Sequence, residues 1–200
     1  MKIKICGIKN IEDLRAINEF QPDYIGFIFA PSKRRVTFEQ SSNIKNELKD
    51  NISTVGVFVN ETVDEIIKIS KLVDVIQLHG DEDEQYIKKL KSSINNPIIK
   101  AVRVKNTSQI LEADTLPCDY LLLDTFSETG YGGIGKTFDY NLIPDTCHKL
   151  FLAGGLNIDN VNRAMDIDPF ALDINSGVET DGTKDYDKIK NILEIIRSKL

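Results

Sequence analysis

Apolar and polar positions alternate along the chain in blocks rather than residue by residue. Runs rich in Ile, Val, Leu and Phe recur at residues 3–6, 24–29, 54–59, 73–78, 98–104, 120–123, 149–153 and 170–174. Amphipathic stretches follow them at 11–20, 39–49, 63–71, 84–93, 107–113, 158–165 and 186–200, and the segment after the sixth run carries the weakest helical pattern. A continuous apolar run is a strand buried on both faces, and regular alternation with helices makes βα units around a parallel sheet. The pattern predicts a single (β/α)8 TIM barrel over residues 1–200, compact beside the roughly 250 residues usual for that architecture. A doubly wound open sheet is the alternative, because periodicity does not distinguish a closed sheet from an open one.

Composition narrows the partners. A net charge of −6 and a pI near 5.0, with no long basic run, argue against nucleic acid or an anionic membrane. No apolar stretch approaches the roughly 18 residues of a membrane span, and the N-terminus reads as a strand rather than a signal peptide. Three cysteines (Cys6, Cys118 and Cys147) form no CxxC and fit free thiols in a reducing, cytoplasmic compartment. The two histidines, His79 and His148, have no metal-ligand spacing around them, so no metal is expected.

The chemistry is expected where a barrel keeps it, at the C-terminal ends of the strands. The sixth run ends on Asp124 and opens into a loop with Gly130, Gly132, Gly133, Gly135 and Lys136. This loop fits both G-x-x-x-x-G-K-[ST] and G-x-G-x-x-G, yet both motifs need a substantial helix next, and Pro144 intervenes too soon. A loop covering a phosphate suits it better. Glycines after strands six, seven and eight (Gly154, Gly155 and Gly177 among them) expose backbone N–H groups where barrels hold phosphate. A small phosphorylated ligand follows.

Side-chain alternation puts Cys6 on one face with Lys4 and Lys2. A lysine two residues below a thiol could favour the thiolate and make Cys6 a base; the alternative is a small buried hydrophobe. Asp124 reads as a general acid, a hydroxyl acceptor or a loop brace. His79 reads as a structural histidine or a ligand contact. One of Arg34 and Arg35, turned to the mouth, would bind a carboxylate with its guanidinium fork.

Together these residues resemble a known family. Lys4-Ile5-Cys6-Gly7-Ile8, the Ser32-Lys33-Arg34 turn, Val55 to Asn60, Gln77-Leu78-His79-Gly80, Leu122-Leu123-Asp124, Gly132 to Asp139, Ala153-Gly154-Gly155-Leu156 and Asn175-Ser176-Gly177-Val178-Glu179 are similar, in order, to the motif set of phosphoribosylanthranilate isomerase. The resemblance implies a cofactor-free (β/α)8 enzyme of tryptophan biosynthesis. Its reaction is the Amadori rearrangement of N-(5-phosphoribosyl)anthranilate to 1-(2-carboxyphenylamino)-1-deoxyribulose 5-phosphate. It makes Cys6 the general base, Asp124 the general acid and Arg34 the contact for the anthranilate carboxylate. His79 lies within a matched motif and joins the substrate-binding positions. The backbone around Gly132, Gly133, Gly154, Gly155, Ser176 and Gly177 would cradle the phosphate, with Asn175, where the family commonly has Ser, contributing through its backbone. Tyr140 stands where another aromatic, often Trp, is usual.

Other classes compete. A pentose-phosphate epimerase would need metal-ligating histidines on the strand ends, and an indole-glycerol-phosphate synthase a lysine and a glutamate there; neither set is present. A non-catalytic phosphosugar binder would need neither Cys6 nor Asp124. The assembly is open between a monomer and a homodimer.

Overall fold

A computed structural model describes residues 1–126 and 137–199. Eight parallel strands close into one barrel in the order β1 to β8: Lys2–Cys6, Tyr24–Ile28, Ser53–Phe58, Val75–Leu78, Ile98–Val104, Tyr120–Thr125, Lys149–Leu152 and Ala171–Ile174. Closure comes from β1 pairing with β8, with Lys4 beside Asp173 in the register. The open-sheet alternative is thereby set aside. Helices α1 (Leu14–Phe20), α2 (Phe38–Asn46), α3 (Val63–Ser70), α4 (Glu84–Lys91), α5 (Thr107–Ala113), α6 (Val161–Met165) and α7 (Tyr186–Arg197) lie between and after the strands.

Strand alternation sorts two cores. Ile3 and Ile5 face outward into the layer between sheet and helices, with Ile25, Phe27, Leu121, Leu123, Leu172 and Ile174. Cys6, Val55, Val57, Val75, Ile99, Leu122 and Phe151 face inward and fill the barrel. Phe151 closes the lower interior against Tyr24 and Tyr120, whose ring centroids lie 5.7 and 5.5 Å away. With the floor plugged by aromatics, the barrel interior opens toward its C-terminal mouth.

Helix starts follow the sequence closely because their caps are local. Thr62, Asp83, Asn106 and Asp185 each accept a backbone N–H three residues on, and Thr37 with Gln40 forms a capping box. The boundaries that differ have physical causes. Val73 donates its N–H to Ile69 O and closes the end of α3 instead of opening β4. Before α6, Asn160 accepts from the Asn157 N–H and donates to Gly155 O, so Ile158 lies in a turn and the helix begins at Val161. After β6, the described residues contain only the 3-10 turn Tyr140–Leu142, as the weak helical pattern there indicated.

One element was not expected. β9 (Glu179–Thr180) and β10 (Thr183–Lys184) form a small antiparallel hairpin. Its two-residue loop, Asp181-Gly182, has φ of +51° and +76°, the Asp-Gly signature of a tight hairpin.

Candidate active site at the mouth of the barrel

The C-terminal ends of the strands surround a cavity of about 360 Å³. Cys6, Arg34, His79, Asp124, Gly154, Gly155, Asn175 and Ser176 all line it, so eight positions singled out in the sequence converge on one space. Gly177 lies just behind, packed on the loop after β7: a Cβ there would stand 1.9 Å from Leu156 O. Gly132 and Gly133 lie outside the described residues. The open choice between arginines is resolved, since Arg34 lines the cavity while Arg35 is exposed to solvent.

Cys6, on β1, is 5% exposed and presses on β2. A Cβ at Gly26 would come within 2.6 Å of its sulfur, so Gly26 makes the room the thiol occupies. Lys4, one inward position below, is fully buried and donates from Nζ to Asp173 Oδ2 at 2.8 Å. Burial would depress Lys4, but the charges of Asp173 and Cys6 outweigh it and hold its pKa above 10.5. For Cys6 the balance falls the other way. Burial pushes the thiol up, Lys4 pulls against it, Asp173 adds to the rise, and the net shift is upward. Lys4 does favour the thiolate, as the sequence indicated, but desolvation prevails.

Asp124 is the penultimate residue of β6, with its side chain lining the barrel mouth. Its Oδ1 accepts from the Thr125 N–H at 2.7 Å and its Oδ2 lies 3.2 Å from His79 Nε2. Gln77, two residues before His79 on β4, reaches His79 Nδ1 at 2.9 Å from its amide nitrogen. With the Gln77 amide N–H donating to Nδ1, the neutral imidazole carries its proton on Nε2, the nitrogen nearer Asp124. His79 therefore lines the cavity beside the Asp124 carboxyl.

Arg34 donates from Nε and Nη2 to the two oxygens of Glu179 at 2.8 and 2.6 Å. Glu179 also accepts from Lys184 Nζ at 2.8 Å. Burial alone would raise the Glu179 carboxyl, but Arg34 and Lys184 bring it down to about 2. Glu179 entered the sequence analysis only as the end of a matched motif, with no role assigned, and Lys184 not at all. The Asp181-Gly182 turn was the signal available, because a tight hairpin there returns Lys184 to the end of β8.

Backbone geometry explains the glycines. Gly154 has φ of +92°, and a Cβ on it would lie 2.2 Å from Thr125 Oγ1. The backbone of the β7 loop can therefore approach the mouth closely. Among the described residues no group of three His, Cys, Asp or Glu side chains could hold a metal ion, and no helix is long and apolar enough to cross a membrane.

Comparison with known proteins identifies the family and agrees on the barrel fold. Residues 3–195 match the family model described as N-(5′-phosphoribosyl)anthranilate (PRA) isomerase. A relative of that name from Endomicrobium trichonymphae is 46% identical, over 98% of each chain. A solved phosphoribosyl anthranilate isomerase in complex with reduced 1-(o-carboxyphenylamino)-1-deoxyribulose 5-phosphate superposes with a TM-score of 0.82 at 34% identity, covering 99% of each chain. A structure of monomers generated from the dimeric enzyme of Thermotoga maritima gives a TM-score of 0.83 at 35% identity, again over 99% of each chain.

Proposed function

The chain belongs to the N-(5′-phosphoribosyl)anthranilate isomerase family, and from that premise we propose how its barrel mouth performs the reaction. The activity is the Amadori rearrangement of N-(5-phosphoribosyl)anthranilate to 1-(2-carboxyphenylamino)-1-deoxyribulose 5-phosphate, an aldose–ketose isomerisation in tryptophan biosynthesis.

Asp124, in its protonated form, delivers a proton to the ribose ring oxygen, and the ring opens to a protonated Schiff base. The Thr125 N–H and His79 fix the carboxyl while it does so. Cys6 then removes the proton from C2′, giving an enolamine that tautomerises to the ketone. The upward shift of the Cys6 thiol bears directly on this step. The iminium brings a positive charge beside Cys6, favours the thiolate and acidifies the C2′ proton at the same moment, so the base form is drawn out by the intermediate that needs it. In the tautomerisation the Cys6 thiol returns its proton to C1′ and the 2′-hydroxyl proton passes to Asp124, so both side chains regain their starting forms and the isomerisation is proton-neutral.

Arg34 binds the anthranilate carboxylate. The backbone of Gly154, Gly155, Asn175, Ser176 and Gly177 cradles the phosphate; Gly132 and Gly133, expected from the sequence to join them, lie outside the described residues. The partner is thus a small phosphorylated substrate. The assembly is a monomer or a homodimer, which sedimentation at several concentrations distinguishes. Three free thiols, Cys6, Cys118 and Cys147, support a cytoplasmic setting.

The observation that carries these roles is the convergence of Cys6 and Asp124, from β1 and β6, on one cavity. Its test follows the loss of phosphoribosylanthranilate fluorescence in wild type, Cys6→Ser and Asp124→Asn. Folded variants should each lose about 10²-fold or more in kcat, the scale of general acid–base catalysis. Activity surviving in Cys6→Ser moves the base elsewhere. No turnover by the folded wild type leaves a phosphosugar binder.

A further inference from the structure

Arg34 is not a free guanidinium. Two of its five N–H groups are taken by the oxygens of Glu179, one on each. Alone, this pair carries no net charge, and a second carboxylate arriving at Arg34 would meet the repulsion of Glu179 along with the attraction of the guanidinium. A carboxylate subsite needs something more than Arg34.

Lys184 supplies it. Its side chain is 2% exposed, and its Nζ lies 2.8 Å from Glu179 Oε1, 3.0 Å from Asn175 O and 3.1 Å from Asn175 Oδ1. Three acceptors use all three N–H groups of an ammonium, where a neutral amine would have only two. Burial pulls the Lys184 pKa below its ordinary 10.5, the Glu179 charge opposing without cancelling that pull, so it is the three acceptors around Nζ that mark the ammonium form. The contacts then close into a ring around the end of β1. A Cβ on Gly7 would stand 2.8 Å from Arg34 Cδ and 2.9 Å from Asn175 Oδ1, so both residues rest on the glycine next to Cys6.

We propose that Lys184 is a specificity-determining positioning residue: it neutralises Glu179, gives the Arg34–Glu179–Lys184 cluster a net charge of +1, and leaves the remaining Arg34 donors to the aromatic carboxylate of the substrate. The inference rests on the reading of Arg34 as the carboxylate contact. Lys184 itself never touches substrate. It acts through the carboxylate it shares with Arg34, and the hairpin β9–β10 is the device that returns it to the mouth.

The experiment measures kcat and KM, with product followed by chromatography, for N-(5-phosphoribosyl)anthranilate and for the aniline analogue that lacks the carboxylate. The ratio of the two kcat/KM values is the carboxylate preference. Lys184→Met should lower that preference about tenfold, mainly through KM of the carboxylated substrate, as removal of one nearby unit charge requires. The double variant Lys184→Met with Glu179→Gln has Arg34 as its one charge, +1 again, and should restore the preference to within about threefold of wild type. An equal loss on both substrates in Lys184→Met, or a double variant no better than the single one, overturns the proposal. Should Lys184→Met not fold, Glu179→Gln alone decides: with two cations and no anion the preference must hold or rise, and a fall overturns the proposal. An Arg34→Met variant that keeps the wild-type preference overturns instead the reading of Arg34, and a wild type without turnover overturns the reaction.

Discussion

Lys4→Met is the most demanding test of the barrel interior. Lys4 and Asp173 lie 2.8 Å apart with side chains 0% and 7% exposed, and Asp173 Oδ1 has no hydrogen-bond partner within the protein. Methionine replaces the stem of the lysine at similar volume, so the packing inside β1 survives and the charge alone is lost. Removing one partner of a buried pair leaves the other uncompensated and costs about 3–5 kcal/mol. Set against a total stability of roughly 5–15 kcal/mol, and at about 2–4 °C per kcal/mol for a domain of this length, the melting temperature should fall by about 6–20 °C. Urea unfolding followed by circular dichroism gives the free energy, and Lys4→Met with Asp173→Asn closes a double-mutant cycle. The double variant should recover at least half of the loss, because neither ion is then left alone. Lys4 sits above its ordinary value of 10.5, so its contribution is complete below that pH and fades as pH rises through the folded value. The same substitution bears on catalysis. Cys6 loses the cation that pulls its thiol down and keeps the carboxylate that pushes it up, so the limb of the pH–rate profile that belongs to the thiol should move to higher pH. A variant within about 1 kcal/mol of wild type, additive behaviour in the cycle, or an unmoved limb would refute the reasoning.

Two further outcomes follow from the geometry. In Gly177→Ala the new Cβ meets backbone, with Leu156 O at 1.9 Å and Asn157 Cα at 2.9 Å, so the loops after β7 and β8 must separate. Stability should drop by about 1–3 kcal/mol and KM should rise with kcat less affected, as steady-state kinetics on the purified variant would reveal. Glu179 is held at about 2 against an ordinary 4.5; its contribution is therefore present above the ordinary value and lost as pH falls through the folded one. Urea midpoints of wild type should decline across that window, and those of Glu179→Gln should decline less; parallel curves would show that the carboxylate is not held as described.

The barrel was legible because parallel strands buried on both faces leave continuous apolar runs, and because helix caps such as Thr62 and Asp83 are local. Boundaries failed where a residue served two elements: Val73 is apolar enough to begin a strand, but its N–H is claimed by α3. The candidate site was legible as a set of strand ends, since topology puts all of them on one rim. Its electrostatics were not. That Lys4 lies near Cys6 can be read from alternation, yet whether the lysine or the burial governs the thiol depends on how completely the mouth excludes water. The choice of Arg34 over Arg35 and the recruitment of Lys184 depend on contacts between Arg34, Glu179 and the β9–β10 hairpin, 145 residues apart in the case of Arg34 and Glu179. No local pattern encodes such a pairing.

Barrel closure gives the pair of Lys4 and Asp173 one more role, before any substrate arrives. Until β1 meets β8, both are free edges with unpaired N–H and C=O groups, open to a strand from another molecule. Each edge carries one of these charges on the face that must be buried. An intruding strand would sequester a lone ion, as edge strands guarded by inward-pointing charge impose. Only the chain's own partner, 169 residues away and in the correct register, neutralises both at once. The interior salt bridge thus favours self-closure over aggregation.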